Sequence, residues 1–161
     1  MKKIFWISVA SFIVIIGLAV FIYQSATKPI ANANEQAIEI AKEHVKINTI
    51  METSFFNGDE PYHVIRATDE NDREIIIWIS EKNPDKIIVE YAKDGLTKEQ
   101  VKEFALSELD IKELKDIRIG MKYDIPVWEI TFIDSNNRYS FYYLTFNGKT
   151  WIESYRLKAI S

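Results

Sequence analysis

Tyr62–Ser80, YHVIRATDENDREIIIWIS, holds two strand patterns about one polar turn. Tyr62 to Thr68 alternates apolar and polar residues, and Asp69-Glu70-Asn71-Asp72 is a turn signal. Arg73 to Ser80 then returns with Ile75, Ile76, Ile77, Trp78 and Ile79, β-branched and aromatic enough for a strand buried on both faces. Two such strands about a short polar turn form an antiparallel pair. The pattern recurs 65 residues later in Val127–Phe146, VWEITFIDSNNRYSFYYLTF. Ile65 falls on Ile130, Asp69 on Asp134, Asn71-Asp72-Arg73 on Asn136-Asn137-Arg138, and Trp78 on Tyr143.

Working outward, each pair is flanked by the same elements. Thr49–Phe56 reads as a strand before the turn Asn57–Pro61, and Lys86–Tyr91 as another after Asn83-Pro84-Asp85. Upstream, Ala37, Ile38, Ala41 and Val45 recur at helical spacing behind Asn32 and Glu35, which suit a capping box. In the second half Thr97 and Gln100 suit a capping box, and Val101, Phe104, Ala105 and Leu109 form the apolar stripe. Strands follow at Lys115–Tyr123, Val127–Ile133, Arg138–Phe146 and Thr150–Arg156, with Asn147-Gly148 as a two-residue hairpin turn. The helices match at an offset of 64, with Glu35-Gln36 on Glu99-Gln100 and Ala41 on Ala105. The expected class is α+β: two tandem units of one helix on an antiparallel sheet, at residues 34–93 and 96–157.

The match also assigns faces. Ile65 and Ala67, with Ile130 and Phe132, should point at each unit's helix. The opposite faces are not polar: they carry Ile76 and Trp78 in the first unit, and Phe141, Tyr143 and Trp151 in the second. Aromatic strand residues are mostly core, so the expectation is that these faces bury one another or the linking segments. Where any part stays open it is a partner surface, with Trp78, Phe141, Tyr143 and Trp151 as the contact candidates.

At the N-terminus, Ile4–Tyr23 (IFWISVASFIVIIGLAVFIY) has no charged residue. At about 1.5 Å per residue a helix of that length spans about 30 Å, the hydrocarbon thickness of a bilayer. Trp6 and Tyr23 stand near its ends, where amphipathic rings prefer the interface. Ile4, Phe12, Gly17 and Phe21 complete the expected anchor at residues 4–23. Lys2 and Lys3 keep residues 1–3 cytoplasmic and send the rest of the chain across the membrane. Ala31-Asn32-Ala33 has the form of a signal-peptidase site, but the apolar run exceeds the roughly 7–15 residues of a signal core. Residues 24–33 are a polar linker in which Pro29 should end the membrane helix.

Composition narrows the function. Setting aside Lys2 and Lys3 leaves 18 basic residues against 24 acidic, a net charge of −6 that argues against a nucleic-acid partner. Cysteine is absent, so no disulfide or thiol chemistry operates. The only histidines, His44 and His63, lack a second ligand at metal-site spacing. Five glycines form no phosphate loop, and the acids cluster in turns and on helix exteriors. The sequence therefore predicts no catalytic residue, no metal and no cofactor.

The anchor, the two helix-plus-sheet units, the strand Trp128–Asp134 (WEITFID) and the hairpin Tyr139–Lys149 (YSFYYLTFNGK) together resemble the YpmB/TseB-like family. That resemblance extends over nearly the whole chain. It implies a membrane-anchored protein of Gram-positive bacteria whose units are similar to PepSY and cystatin-like folds. It implies a non-enzymatic regulator of cell-wall (peptidoglycan) elongation that acts on a penicillin-binding protein at the outer membrane face. Two other functions fit the residues: a protease-inhibiting or chaperone-like PepSY module, and a wall-glycan binder using Trp78, Tyr143 or Trp151 as stacking platforms.

Overall fold

Asp69 and Asp134 are the hinges of two matching hairpins. Each carboxylate accepts backbone N–H bonds from the residues two and four positions on: Asn71 (2.9 Å) and Arg73 (3.0 Å), and Asn136 and Arg138 (2.9 Å each). Each also binds the arginine side chain at 2.8 Å through Nε. Asp72 and Asn137, in the same place in each turn, take φ of 58° and 57°, a left-handed conformation that Asp and Asn tolerate better than most residues.

In this computed structural model the described residues are 2–157 for the backbone, with side chains described for 12–22 and 33–157. The order is α1 (Lys2–His44), β1 (Ile47–Asn57), β2 (Pro61–Asp69), β3 (Glu74–Ser80), β4 (Ile87–Tyr91), a 3-10 turn (Ala92–Asp94), α2 (Lys98–Glu108), β5 (Ile111–Lys122), β6 (Ile125–Asp134), β7 (Tyr139–Thr145) and β8 (Trp151–Leu157). The strands form two antiparallel sheets, β1-β2-β3-β4 and β5-β6-β7-β8. The first strand of each is interrupted twice, between Ile47 and Thr49 and between Ile50 and Glu52 in β1, and at the matching Ile111/Glu113 and Leu114/Asp116 in β5. The fold is thus α+β, with the two halves alike in order, register and turn.

The chain divides into Met1–Gln36 and Ala37–Ser161. In the first unit the side chains from Phe12 to Ile22 are exposed, Phe12 and Phe21 among them. Gly17 has open space around it. The side chains of Ile4, Trp6 and Tyr23 lie outside the described residues. Among the residues whose side chains are described, no helix is long and apolar enough to cross a membrane.

One expectation changes here. α1 runs through residues 24–33 without a stop at Pro29 or a new start at Asn32. Proline removes one N–H donor and crowds the preceding turn, but its φ near −65° is itself helical. The good helix formers around it (Gln24, Ala26 and Lys28 before, Ala31 and Ala33 after) favour continuation.

The second unit holds two cores. In one, Ala37 and Ala41 of α1 lie against Ile65, Ala67, Ile75, Ile77 and Ile79, the face expected of them. Two small residues let the helix approach a sheet of branched side chains, each worth about 1.5–3 kcal/mol when fully buried. The other core joins the halves: Val64, Ile76 and Trp78 from the first sheet with Val101 and Ala105 of α2 and Trp128, Ile130 and Phe132 of β6. Thr97 caps α2 as its sequence indicates, accepting from Gln100 N (3.2 Å) while Gln100 Oε1 accepts from Thr97 N (2.8 Å).

Asn147-Gly148 is not a two-residue hairpin. Thr145 N bonds Thr150 O at 2.9 Å across a wider loop, with Gly148 at φ 73°. Phe146 is the reason: its N bonds Pro126 O (2.8 Å), its O accepts from Leu96 N (2.9 Å), and its ring is buried edge-on to Trp78. The tight turn with two left-handed residues falls at Tyr123-Asp124 instead, φ 50° and 62°.

Candidate functional site

The face of the second sheet turned away from α2 carries an extended aromatic array. Alternation on β7 sends Ser140, Tyr142 and Leu144 toward α2, where Phe104 lies 6.0 Å from the Tyr142 ring. Tyr139, Phe141 and Tyr143 go to the other side. Register aligns Ile133, Tyr139 and Leu157 in one row, Thr131, Phe141 and Tyr155 in the next, and Glu129, Tyr143 and Glu153 in a third. Phe141 and Tyr155 stack at 4.7 Å and 23°, Tyr139 meets Phe141 edge-on at 5.2 Å, and Tyr143 lies nearly parallel to Tyr155 at 6.0 Å. Tyr139, Tyr155 and Leu157 are exposed, at 39%, 38% and 52%.

At one end of this ladder, in the row of Tyr143, is an ion pair whose carboxylate is buried. Glu129 is 3% exposed, and Arg118 donates to its Oε1 through Nε at 2.7 Å and a terminal nitrogen at 2.6 Å. The Tyr143 hydroxyl donates to Glu129 Oε2 at 2.6 Å and lies 3.1 Å from the Tyr155 hydroxyl. Burial, reinforced by the bond to Glu129, pushes the Tyr143 hydroxyl far above the usual tyrosine range, so it stays a proton donor at any physiological pH. Removing Arg118 would strand the buried Glu129 carboxylate, at a cost of about 3–5 kcal/mol. It holds Tyr143 in place, and Tyr155 through it.

The first half covers the polar end of this face. Phe56 sits over Gly120, with the Arg118 guanidinium 5.1 Å above its ring. Lys122 bonds Asp59 (2.7 Å) and pairs with Glu153 (3.4 Å), and Asp59 also accepts from Tyr123 N (3.2 Å). Asp124 is held by Lys86 and by the Tyr62 hydroxyl at 3.0 Å. Those bonds draw the Asp124 carboxyl below its ordinary pKa, the Lys86 bond contributing most. The aromatic end is left open.

The four sequence candidates therefore separate. Trp78 is fully buried between the halves and Tyr143 is 2% exposed, so neither can touch a partner; both serve the core. Phe141 is half-buried within the open ladder. Trp151 is 54% exposed but on the opposite face, 6.4 Å from the Tyr142 ring. A bulge at Ile152 is the cause, since Tyr143 pairs with Glu153 while Leu144 pairs with Trp151, and one extra residue flips the side. Sequence reading missed Tyr139, Tyr155 and Leu157. Tyr139 shares Phe141's alternation and was findable; the other two depend on the β8 register.

Among the described residues no three His, Cys, Asp or Glu side chains converge as metal ligands. His44 bonds the Ile40 carbonyl one helical turn back (3.0 Å), and His63 is buried beside Phe55, which lowers its pKa. A groove of about 620 Å³ lies between the first sheet, α2 and β5.

Comparison with known proteins adds three findings. Residues 36–80 match the family described as the cell wall elongation regulator TseB-like domain. Over 135 residues the chain is 24% identical to the "Probable cell wall elongation regulator TseB" of Bacillus subtilis (strain 168), covering 84% of each. The solved structure of the YpmB protein from Bacillus subtilis superposes with a TM-score of 0.73 at 22% identity, over 77% of this chain and 97% of that one. At that identity the structural likeness is one of fold.

Proposed function

The chain belongs to the TseB/YpmB-like family, and from that premise we propose that it regulates cell-wall elongation without being an enzyme. It does so by binding a penicillin-binding protein at the outer face of the membrane. The observation that carries the binding mode is the open ladder of Tyr139, Phe141, Tyr155 and Leu157, fixed at one end by Glu129 and Arg118 through Tyr143. Aromatic side chains on a rigid base bury much area at small entropic cost, as interface anchors do. The uncharged run Ile4–Tyr23 supports anchoring, and the lysines before it support export of the rest. Two proteins held in one membrane meet at high effective concentration, so a modest interface suffices. The matching turns and bulges of the two halves support their origin as a tandem duplication.

Capture of the full chain from solubilised membranes, followed by labelling with a fluorescent penicillin, tests the partner. A labelled penicillin-binding protein should copurify, and the Tyr155→Ser/Leu157→Ser variant should reduce its yield about tenfold or more. Equal yield with the variant, or no labelled protein with either, contradicts the proposal. Because the chain has no cysteine, one placed at Ser135 reports orientation: a membrane-impermeant maleimide should label it in intact cells.

A further inference from the structure

The groove of about 620 Å³ is touched by four consecutive residues of β5, Asp116 to Ile119, and by the neighbours Ser54 and Phe55 of β1. Consecutive strand residues point to opposite faces. A space that meets all of them meets each strand along its edge, where the backbone points. β1 and β5 are the outermost strands of their sheets, each paired on one side only. The bulges that commonly protect an edge lie upstream, ending at Glu52 and Asp116; from there both strands run in regular register, to Asn57 and Lys122.

Charge selects the occupant. Glu52, Glu74, Glu99 and Asp116 line the groove against Arg66, Lys98 and Arg118. Arg118 is already bound by the buried Glu129, and Arg66 by Glu74 (2.5 Å) with Glu52 at 3.5 Å, so the acids are in excess. Val64, Ile76 and Trp128 supply an apolar floor, and the buried Trp128 Nε1 has no hydrogen-bond partner. We infer that this groove is a second binding site, separate from the aromatic ladder, which takes an extended peptide segment alternating basic and apolar residues from another protein. The segment pairs its backbone with the outer edges of β1 and β5, displacing the Asp116 carboxylate that accepts from Ile117 N at 2.8 Å. Its apolar side chains rest on the floor and its cations face Glu52, Glu99 and the released Asp116. This is strand addition, in which the backbone gives affinity and alternate side chains give specificity. The site does not rest on the identity of the wall synthase.

The probe is an acetylated, amidated octapeptide alternating valine and lysine, with its glutamate counterpart as control. Both are added to the full chain in phosphatidylcholine nanodiscs, and amide hydrogen exchange is read by mass spectrometry. The lysine peptide should slow exchange about tenfold at 52–55 and 116–119, leaving the β8 edge at 151–157 unchanged. Glu52→Gln and Glu99→Gln should each weaken its apparent affinity by up to about fivefold. Tyr155→Ser/Leu157→Ser should leave it intact, so loss of the synthase with retained peptide binding would spare this inference. Equal protection by both peptides, slowing spread over the whole acidic surface, or protection that rises with protein concentration alone (a second copy as the occupant) each overturn it.

Discussion

Replacing Gly120 by alanine puts a methyl group where Phe56 already stands. A Cβ there would lie 2.3 Å from Cδ2 and Cε2 of the ring and 2.5 Å from Cγ. The ring is 1% exposed with Arg118 above it, so it has no free direction of retreat. Overpacking of this kind costs about 1–3 kcal/mol. Truncating the ring, Phe56→Ala, costs about 3–5 kcal/mol through the cavity it leaves. In the double variant the alanine at 120 occupies part of that cavity, so the combined loss should fall short of the sum by about 1–2 kcal/mol. Thermal unfolding of the full chain in nanodiscs reads this directly, at about 3–6 °C of Tm per kcal/mol for a body of this size. If the two losses add to within about 0.5 kcal/mol, Phe56 does not rest on Gly120 and the packing of the β1–β2 hairpin on the second sheet is wrong.

Three further outcomes follow from the same geometry. Trp78→Ala should cost about 3–5 kcal/mol in urea unfolding, whereas the exposed Trp151→Ala should cost less than about 1 kcal/mol; equal losses would contradict their opposite placements. Tyr143→Phe leaves a carboxylate oxygen of Glu129 without its donor and should cost about 1.5–3 kcal/mol, with weaker partner capture as Tyr155 loosens; unchanged stability would remove the hydroxyl from the network. Asp69 is drawn below the ordinary carboxylate range chiefly by the Arg73 side chain; at Asp134 burial pushes the other way and the Arg138 and Asn136 bonds outweigh it. A carboxyl depressed on folding stabilises above its unfolded pKa of about 4 and loses that as pH falls through the lower folded value. Asp69→Asn/Asp134→Asn should therefore flatten urea midpoints below about pH 4, and an unaltered slope there would count against both hinges.

What could be read from residues alone was what alternation and turn chemistry control. Asp69 and Asp134, with arginine four residues on, marked both hairpins because the carboxylate needs only local partners. The capping box at Thr97 and the faces of Ile65, Ala67, Ile130 and Phe132 were legible for the same reason. Features set by tertiary contact were not. Phe146 widens a hairpin because Pro126 and Leu96 claim its backbone, and no local rule signals that. The bulge at Ile152 carries Trp151 to the other face, which alternation counted from Glu153 gets wrong. The groove edge at Asp116–Ile119 needs both sheets in place before it exists. α1 passes Pro29 because a good helix context on both sides outweighs one lost donor.

Photo-crosslinking in intact cells from benzoylphenylalanine at position 155, with position 106 on α2 as the exposed comparison, tests the open ladder as the partner surface. Position 155 should give adducts containing a penicillin-binding protein, and position 106 none. Adducts of equal yield from both positions, or a ladder that captures no wall synthase, would contradict it.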